Sequence, residues 1–138
     1  MVSGLPDWWR KFFFVGQDDA VWGAFPWASR AGLYRAVNWY GAIISGSEYV
    51  HDIRTIPSGK TFFLCLFMIG AEEPDTHYFI QFKDNAGVTY AEMVVHNYVV
   101  IPYNPPIPVP GGRTLELHTY GYSSTNSGYY ATVIGFDL

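Results

Sequence analysis

The stretch Ile56-Pro57-Ser58-Gly59-Lys60-Thr61, with the apolar run Phe62 to Ile69 behind it, decides the fold. It comes back as Val109-Pro110-Gly111-Gly112-Arg113-Thr114, followed by Leu115-Glu116-Leu117-His118-Thr119-Tyr120. Both copies read apolar, Pro, small, Gly, basic, Thr, then strand. Proline presets φ for the second position of a turn, and glycine accepts the positive φ that a type II turn needs. The basic residue and the threonine then open a β-strand. A turn that launches a strand is therefore used twice. It specifies architecture and not chemistry.

The pattern on either side of the two turns is strand. Thr61 to Ile69 is apolar at nearly every position, which predicts a central strand covered on both faces. His77 to Lys83 and Val88 to Val95 flank Asp84-Asn85-Ala86-Gly87, a four-residue loop with hairpin chemistry. Closing Lys83 opposite Val88 sets Ile80 opposite Ala91 and Tyr78 opposite Met93. Tyr78, Ile80, Phe82, Thr89, Ala91 and Met93 then share one face. Val37 to Ile44 and Tyr49 to Ile56 are further strands around the turn Ser45-Gly46-Ser47. Thr114 to Tyr120 alternates, with Leu115, Leu117 and Thr119 on one side, and Tyr129 to Leu138 closes the set. Tyr98 to Ile101 is a short apolar piece. Pro102, Pro105, Pro106, Pro108 and Pro110 each lack the N–H a ladder needs, so Pro102 to Gly112 is expected to be an extended crossover. Seven or eight strands between turn signals predict an all-β chain, an antiparallel β-sandwich or jelly roll over residues 37–138. Residues 1–36 are expected to form an irregular, aromatic-rich N-terminal arm.

Composition narrows the function classes. The 138 residues fit one domain, and 49% are hydrophobic, enough for a core without metal or disulfide staples. Only 14% are charged while 19% are aromatic, so some rings must lie at the surface or in an interface. The net charge is −4 and no Lys/Arg cluster exists, which removes the footprint of nucleic-acid binding. The run Phe62 to Gly70 is too short to span a bilayer, and no signal peptide is evident, so no membrane partner is expected. Cys65, inside that run, reads as a buried inert thiol.

No arrangement of residues announces catalysis. Gly59-Lys60-Thr61 ends like a phosphate-binding loop, but Arg54 stands where that motif needs its first glycine, and a strand follows instead of a helix. His51, His77, His96 and His118 form no metal-ligand spacing, and Glu72, Glu73 and Asp75 have no calcium-loop spacing. No cofactor, no metal and no enzymatic activity are expected. Tyr120, Tyr122, Tyr129 and Tyr130, around the loop Ser123 to Gly128, are the candidates for stacking on the apolar faces of sugars. The same tyrosines also fit core positions at strand period.

Leu5, Trp8, Trp9, Phe12, Phe13, Phe14 and Val15 crowd around Arg10 and Lys11 at the start of the chain. Two readings stay open. The rings close one end of the domain's own core, or they form an arm with Trp8, Trp9, Phe12 and Phe13 as anchors on a neighbouring subunit.

The two Pro-x-Gly turns, with the strand Tyr130-Ala131-Thr132-Val133-Ile134-Gly135-Phe136, resemble small jelly-roll proteins of tailed-phage and related virions, over about Val50 to Leu138. These include head decoration (cementing) proteins and fibre domains. The resemblance implies a structural virion protein, made in the host cytoplasm and placed on the capsid surface. Its implied partners are the major capsid protein and further copies of itself, as a homotrimer. The alternative from another class is a carbohydrate- or receptor-binding β-sandwich module of tail-fibre or adhesin type.

The arm reading is tested by deleting Met1 to Val15. The expected outcome is a sandwich that still folds, with subunit association sharply weakened in sedimentation. A truncated chain that no longer folds as a monomer assigns the rings to the core.

Overall fold

The structure is a computed structural model, and it describes residues 34–138. The expected anchors Trp8, Trp9, Phe12 and Phe13 lie outside the described residues. Eight strands run through the described chain: β1 (Tyr34–Ile43), β2 (Glu48–Thr55), β3 (Thr61–Ala71), β4 (His77–Asp84), β5 (Thr89–His96), β6 (Tyr98–Pro110), β7 (Thr114–Gly121) and β8 (Ser127–Asp137). They form two four-stranded sheets, ordered β1-β8-β3-β6 and β2-β7-β4-β5. All pairs are antiparallel. The pairs β1–β8, β2–β7, β3–β6 and β4–β5 are nested, as in a long hairpin rolled up on itself. The fold is an antiparallel jelly roll, as the strand pattern predicts.

The repeated turns carry the chain between the sheets, β2 to β3 in one case and β6 to β7 in the other. Gly59 has φ 79° and Gly112 has φ 77°, the left-handed conformation that selects glycine. Lys60 N–H donates to the Pro57 carbonyl at 3.1 Å. Pro57 is thus the first residue of its turn, one place earlier than expected, and Gly59 the third. The two turns also bond to each other. Ile56 N–H donates to the Arg113 carbonyl at 2.8 Å, and Gly112 N–H donates to the Ile56 carbonyl at 2.9 Å. A Cβ at Gly111 would run into the Pro57 and Lys60 carbonyl oxygens, so the second glycine of that turn is required by contact.

β3 is an interior strand, flanked by β8 and β6. Phe62, Leu64, Phe67 and Ile69 point inward and are buried. Its outward row, Phe63, Leu66 and Met68, is only half-buried, so the strand is covered on one face and not on two. Cys65 is buried at a break in register between Leu64 and Leu66, its thiol 3.4 Å from the Phe63 carbonyl.

The proline-rich segment is not a crossover. β6 runs unbroken in direction to Pro110 and pairs with β3, with Pro102 opposite Leu66, Pro108 opposite Phe63 and Pro110 opposite Thr61. The strand tolerates them because it is a sheet edge, where an N–H can face outward and its loss breaks no ladder bond. Residues 103–106 have no partner in β3, and they include the cis Asn104–Pro105 bond.

The β4–β5 hairpin also differs in register. Ile80 lies opposite Met93 and Tyr78 opposite Val95, a shift of two that keeps the inward face but sends Thr89 outward. The cause is Asp84. Its carboxylate is buried and accepts from Ala86 N–H (2.9 Å), Val88 N–H (3.1 Å), the Tyr90 hydroxyl (2.6 Å) and Arg113 Nη1 (2.7 Å). Drawing Tyr90 onto Asp84 puts a bulge between Phe82 and Lys83 in the pairing, and the register slips.

The two sheets close on a core in which Phe67 and Phe82 meet edge to face at 4.6 Å. Arg54 on β2 grips Asp137 on β8 with two bonds, 2.8 and 3.0 Å, and lies over the Phe62 ring. Thr119 donates across the sandwich to the Ala42 carbonyl at 2.7 Å.

Burial alone would raise the pKa of Asp84, but its donors, Tyr90 and Arg113 first, outweigh burial and hold it at about 2. Burial and the carboxylate push the Tyr90 hydroxyl up to about 12. A carboxylate depressed on folding stabilises the fold above its ordinary pKa near 4, and that stability is lost as pH falls towards about 2. Asp84→Ala is expected to cost about 3 kcal/mol at pH 7, because three donors and a cation lose their partner. Denaturant titrations should also show a flatter acid limb between pH of about 4 and 2 than in the parent protein.

Candidate functional site

A jelly roll has two outer faces, and here they differ in chemistry. On the β2-β7-β4-β5 sheet, strand alternation turns Glu48, Phe79, Gln81, Glu116, His118 and Tyr120 outward, because Ile80, Phe82, Leu115, Leu117 and Thr119 point in. Register sets them in rows. Glu48, Tyr120 and Phe79 lie side by side, and Val50, His118, Gln81 and Glu92 form the next row. Tyr122, just beyond β7, completes one end. Together Glu48, Phe79, Gln81, His118, Thr119, Tyr120 and Tyr122 line an open groove of about 430 Å³.

The polar side chains of the groove hold one another. His118 sits between two carboxylates, Nδ1 against Glu48 and Nε2 at 2.8 Å from Glu116. Gln81 Nε2 donates to Glu92 at 2.8 Å, which fixes the amide and leaves its oxygen as an acceptor. The Tyr120 and Tyr122 rings stand 5.4 Å apart and are inclined by 61°, an open corner of two aromatic faces.

The structure separates the four candidate tyrosines. Tyr120 and Tyr122 share the groove. Tyr129 is fully buried between the sheets, where its hydroxyl accepts from Trp39 Nε1 at 3.0 Å. Burial pushes that hydroxyl up to about 12. Tyr130 is 63% exposed on the opposite outer face, beside Tyr40 at 5.1 Å. The sequence does not single out Glu48, Phe79 and Gln81, and it raises His118 only as a metal ligand to be set aside, since their proximity depends on the pairing of β7 with β2 and β4. The hairpin also sets His77 opposite His96, ring centroids 4.2 Å apart. Among the described residues, no three His, Cys, Asp or Glu side chains gather as metal ligands.

The outer face of the β1-β8-β3-β6 sheet is of another kind. Phe63, Leu66 and Met68 from β3 lie beside Ile134 and Phe136 from β8 and Val100 from β6. Ala36, Asn38 and Tyr40 of β1 flank them, and the Thr132 hydroxyl donates to Asn38 Oδ1 at 2.7 Å. None of these outward strand residues carries a formal charge; at one end of the face the Tyr40 hydroxyl donates to the Glu72 carboxylate at 3.0 Å, and Phe136 is itself buried. Phe63 and Phe136 stack at 5.0 Å with ring planes 14° apart.

No family model matches the sequence, and no curated protein matches it. Solved structures are similar in fold. The Yersinia pseudotuberculosis-derived mitogen is 11% identical with a TM-score of 0.47, over 72% of this chain and 84% of that one. A chain from the capsid of the Helicobacter pylori bacteriophage KHP30 is 10% identical with a TM-score of 0.46, over 77% and 98%. A cyanophage capsid chain is 8% identical with a TM-score of 0.46, over 78% and 88%. At these identities the likeness is one of fold alone.

The split of the tyrosines is measurable. Tyr129→Ala removes a fully buried ring and should destabilise the protein by about 3–5 kcal/mol in denaturant melts. Tyr122→Ala, at a side chain 57% exposed, should stay within about 0.5 kcal/mol of the parent.

Proposed function

We propose that this protein is a structural protein of a virion, a decoration or stabilising protein held on the capsid surface, and that it catalyses no reaction. The observation that carries the reading is the apolar patch on the outer face of the β1-β8-β3-β6 sheet, whose outward strand residues carry no charge. Phe63, Leu66, Met68 and Ile134 are half-buried there and Val100 is exposed, and such apolar side chains lose little on desolvation and gain from burial. Such a face suits protein–protein contact. Extension of the sheet at its edges is a poorer route, because the prolines of β6 remove donors from one edge.

The occupant of that face is, in this reading, another copy of the chain, as the resemblance to trimeric virion proteins implies. A closed homotrimer shares the apolar faces about its axis and presents the remaining surface to the major capsid protein.

Sedimentation equilibrium at micromolar concentration should show an oligomer. Met68→Glu with Val100→Glu, paired neighbours on this face, should give a folded monomer. Both variants together should also reduce co-sedimentation with candidate capsids. A parent protein that sediments as a monomer and ignores capsids counts against the proposal.

A further inference from the structure

We infer that the groove lined by Tyr120, Tyr122 and Phe79 binds an uncharged sugar, with the apolar face of a pyranose ring against the tyrosines and its hydroxyls against Glu48 and Gln81. The site lies on the sheet opposite the proposed docking face, so it stands or falls separately from that reading.

Four observations lead there. The first is shape. Tyr120 and Tyr122 form a two-sided aromatic corner, open to solvent, and both rings are substantially exposed. A pyranose presents a flat patch of C–H groups whose slight positive charge suits the negative face of an aromatic ring. The second is the polar lining. Glu48 gives one oxygen to His118 and keeps a second as acceptor; Gln81 gives its amide N–H to Glu92 and keeps its oxygen. Acceptors placed beside a ring platform match the donor hydroxyls at the rim of a sugar. Both groups are held by neighbours, so little ordering is needed on binding.

The third observation is charge. No Lys or Arg lines the groove, whereas Glu48 does, with Glu92 and Glu116 directly bonded to its lining. An acidic sugar, a sulfate or a phosphate would be repelled by the carboxylates and would find no Lys or Arg partner. The ligand is therefore a neutral saccharide and not a sialylated or sulfated one. The fourth is size. About 430 Å³ falls in the range of small-molecule clefts, roughly 300–1,000 Å³, and the open form admits an internal stretch of a longer glycan. An organic cation is the competing ligand for an aromatic and acidic site. Two inclined rings in an open groove lack the enclosure that a cation cage uses.

The full chain, labelled with nitrogen-15, is titrated with lactose, cellotetraose and maltotetraose. Sialyllactose and choline serve as the anionic and cationic arms. The expected result is saturable shifts at millimolar or tighter affinity for at least one neutral probe, confined to Phe79, Gln81 and His118 to Tyr122. Tyr122→Ala and Tyr120→Ala should each weaken that binding about tenfold, and Tyr130→Ala on the other face should leave it unchanged. The inference is overturned if no neutral probe shifts these residues. Choline binding in their place, sialyllactose binding as tightly as lactose, or Tyr130→Ala weakening binding as much as Tyr122→Ala would overturn it equally.

Discussion

The backbone of Ile56 bonds twice to the second Pro-x-Gly turn, through Arg113 and Gly112, and the crossing of the chain between sheets depends on that contact. Each turn alone reverses or redirects a strand. Bonded together, they extend the β2–β7 ladder to the very end of the sandwich, where Thr55 and Thr114 share a hydroxyl bond of 3.0 Å. The same end is held by Arg113, whose guanidinium reaches the buried Asp84 of the neighbouring hairpin. The basic residues of the two repeats thus differ in purpose. Arg113 is a partner of a buried carboxylate, while Lys60 is exposed in its turn. A planar guanidinium is suited to that task where a point-charge ammonium is not.

With the crossings fixed, the nested pairing follows, and so do the two outer faces. One is polar, with aromatics at one end; the other is largely apolar, and its outward strand residues carry no charge. Neither face is needed for the core, which closes on Phe62, Phe67, Tyr78, Phe82 and Tyr129. Most outward residues are therefore less bound by packing demands than the inward ones, and the proposed partner and ligand would use the difference between the two faces.

Much of this was legible in the sequence. The turn glycines, the interior position of β3, the β4–β5 hairpin and the inward set Leu115, Leu117, Thr119 follow from turn chemistry and period two. The register of the hairpin was not legible, because it depends on Asp84 drawing in Tyr90 across the loop. The length of β6 was hidden by a rule correct for interior strands but not for an edge. For the tyrosines, alternation already separates neighbours: if Thr119 points in, Tyr120 points out, and Tyr129 and Tyr130 must face opposite ways. What alternation lacks is the partner strand. The meeting of Glu48 with His118, or of Phe79 with Tyr120, exists only once β7 lies between β2 and β4.

The place of β8 has a consequence for how the chain acquires its shape. β8 is the strip that joins β1 to β3, and those two strands do not touch as neighbours without it. A ribosome releases β1, β3 and β6 well before residues 127–137 exist. Until then β3 has one partner, β1 has none, and the apolar side chains of both stand open to water. Pairings this distant along the chain carry a large loop-closure cost and form slowly. The sheet with the largely apolar outer face thus closes last, by insertion of its own central strand, and during that interval the nascent chain is most in need of protection from its neighbours.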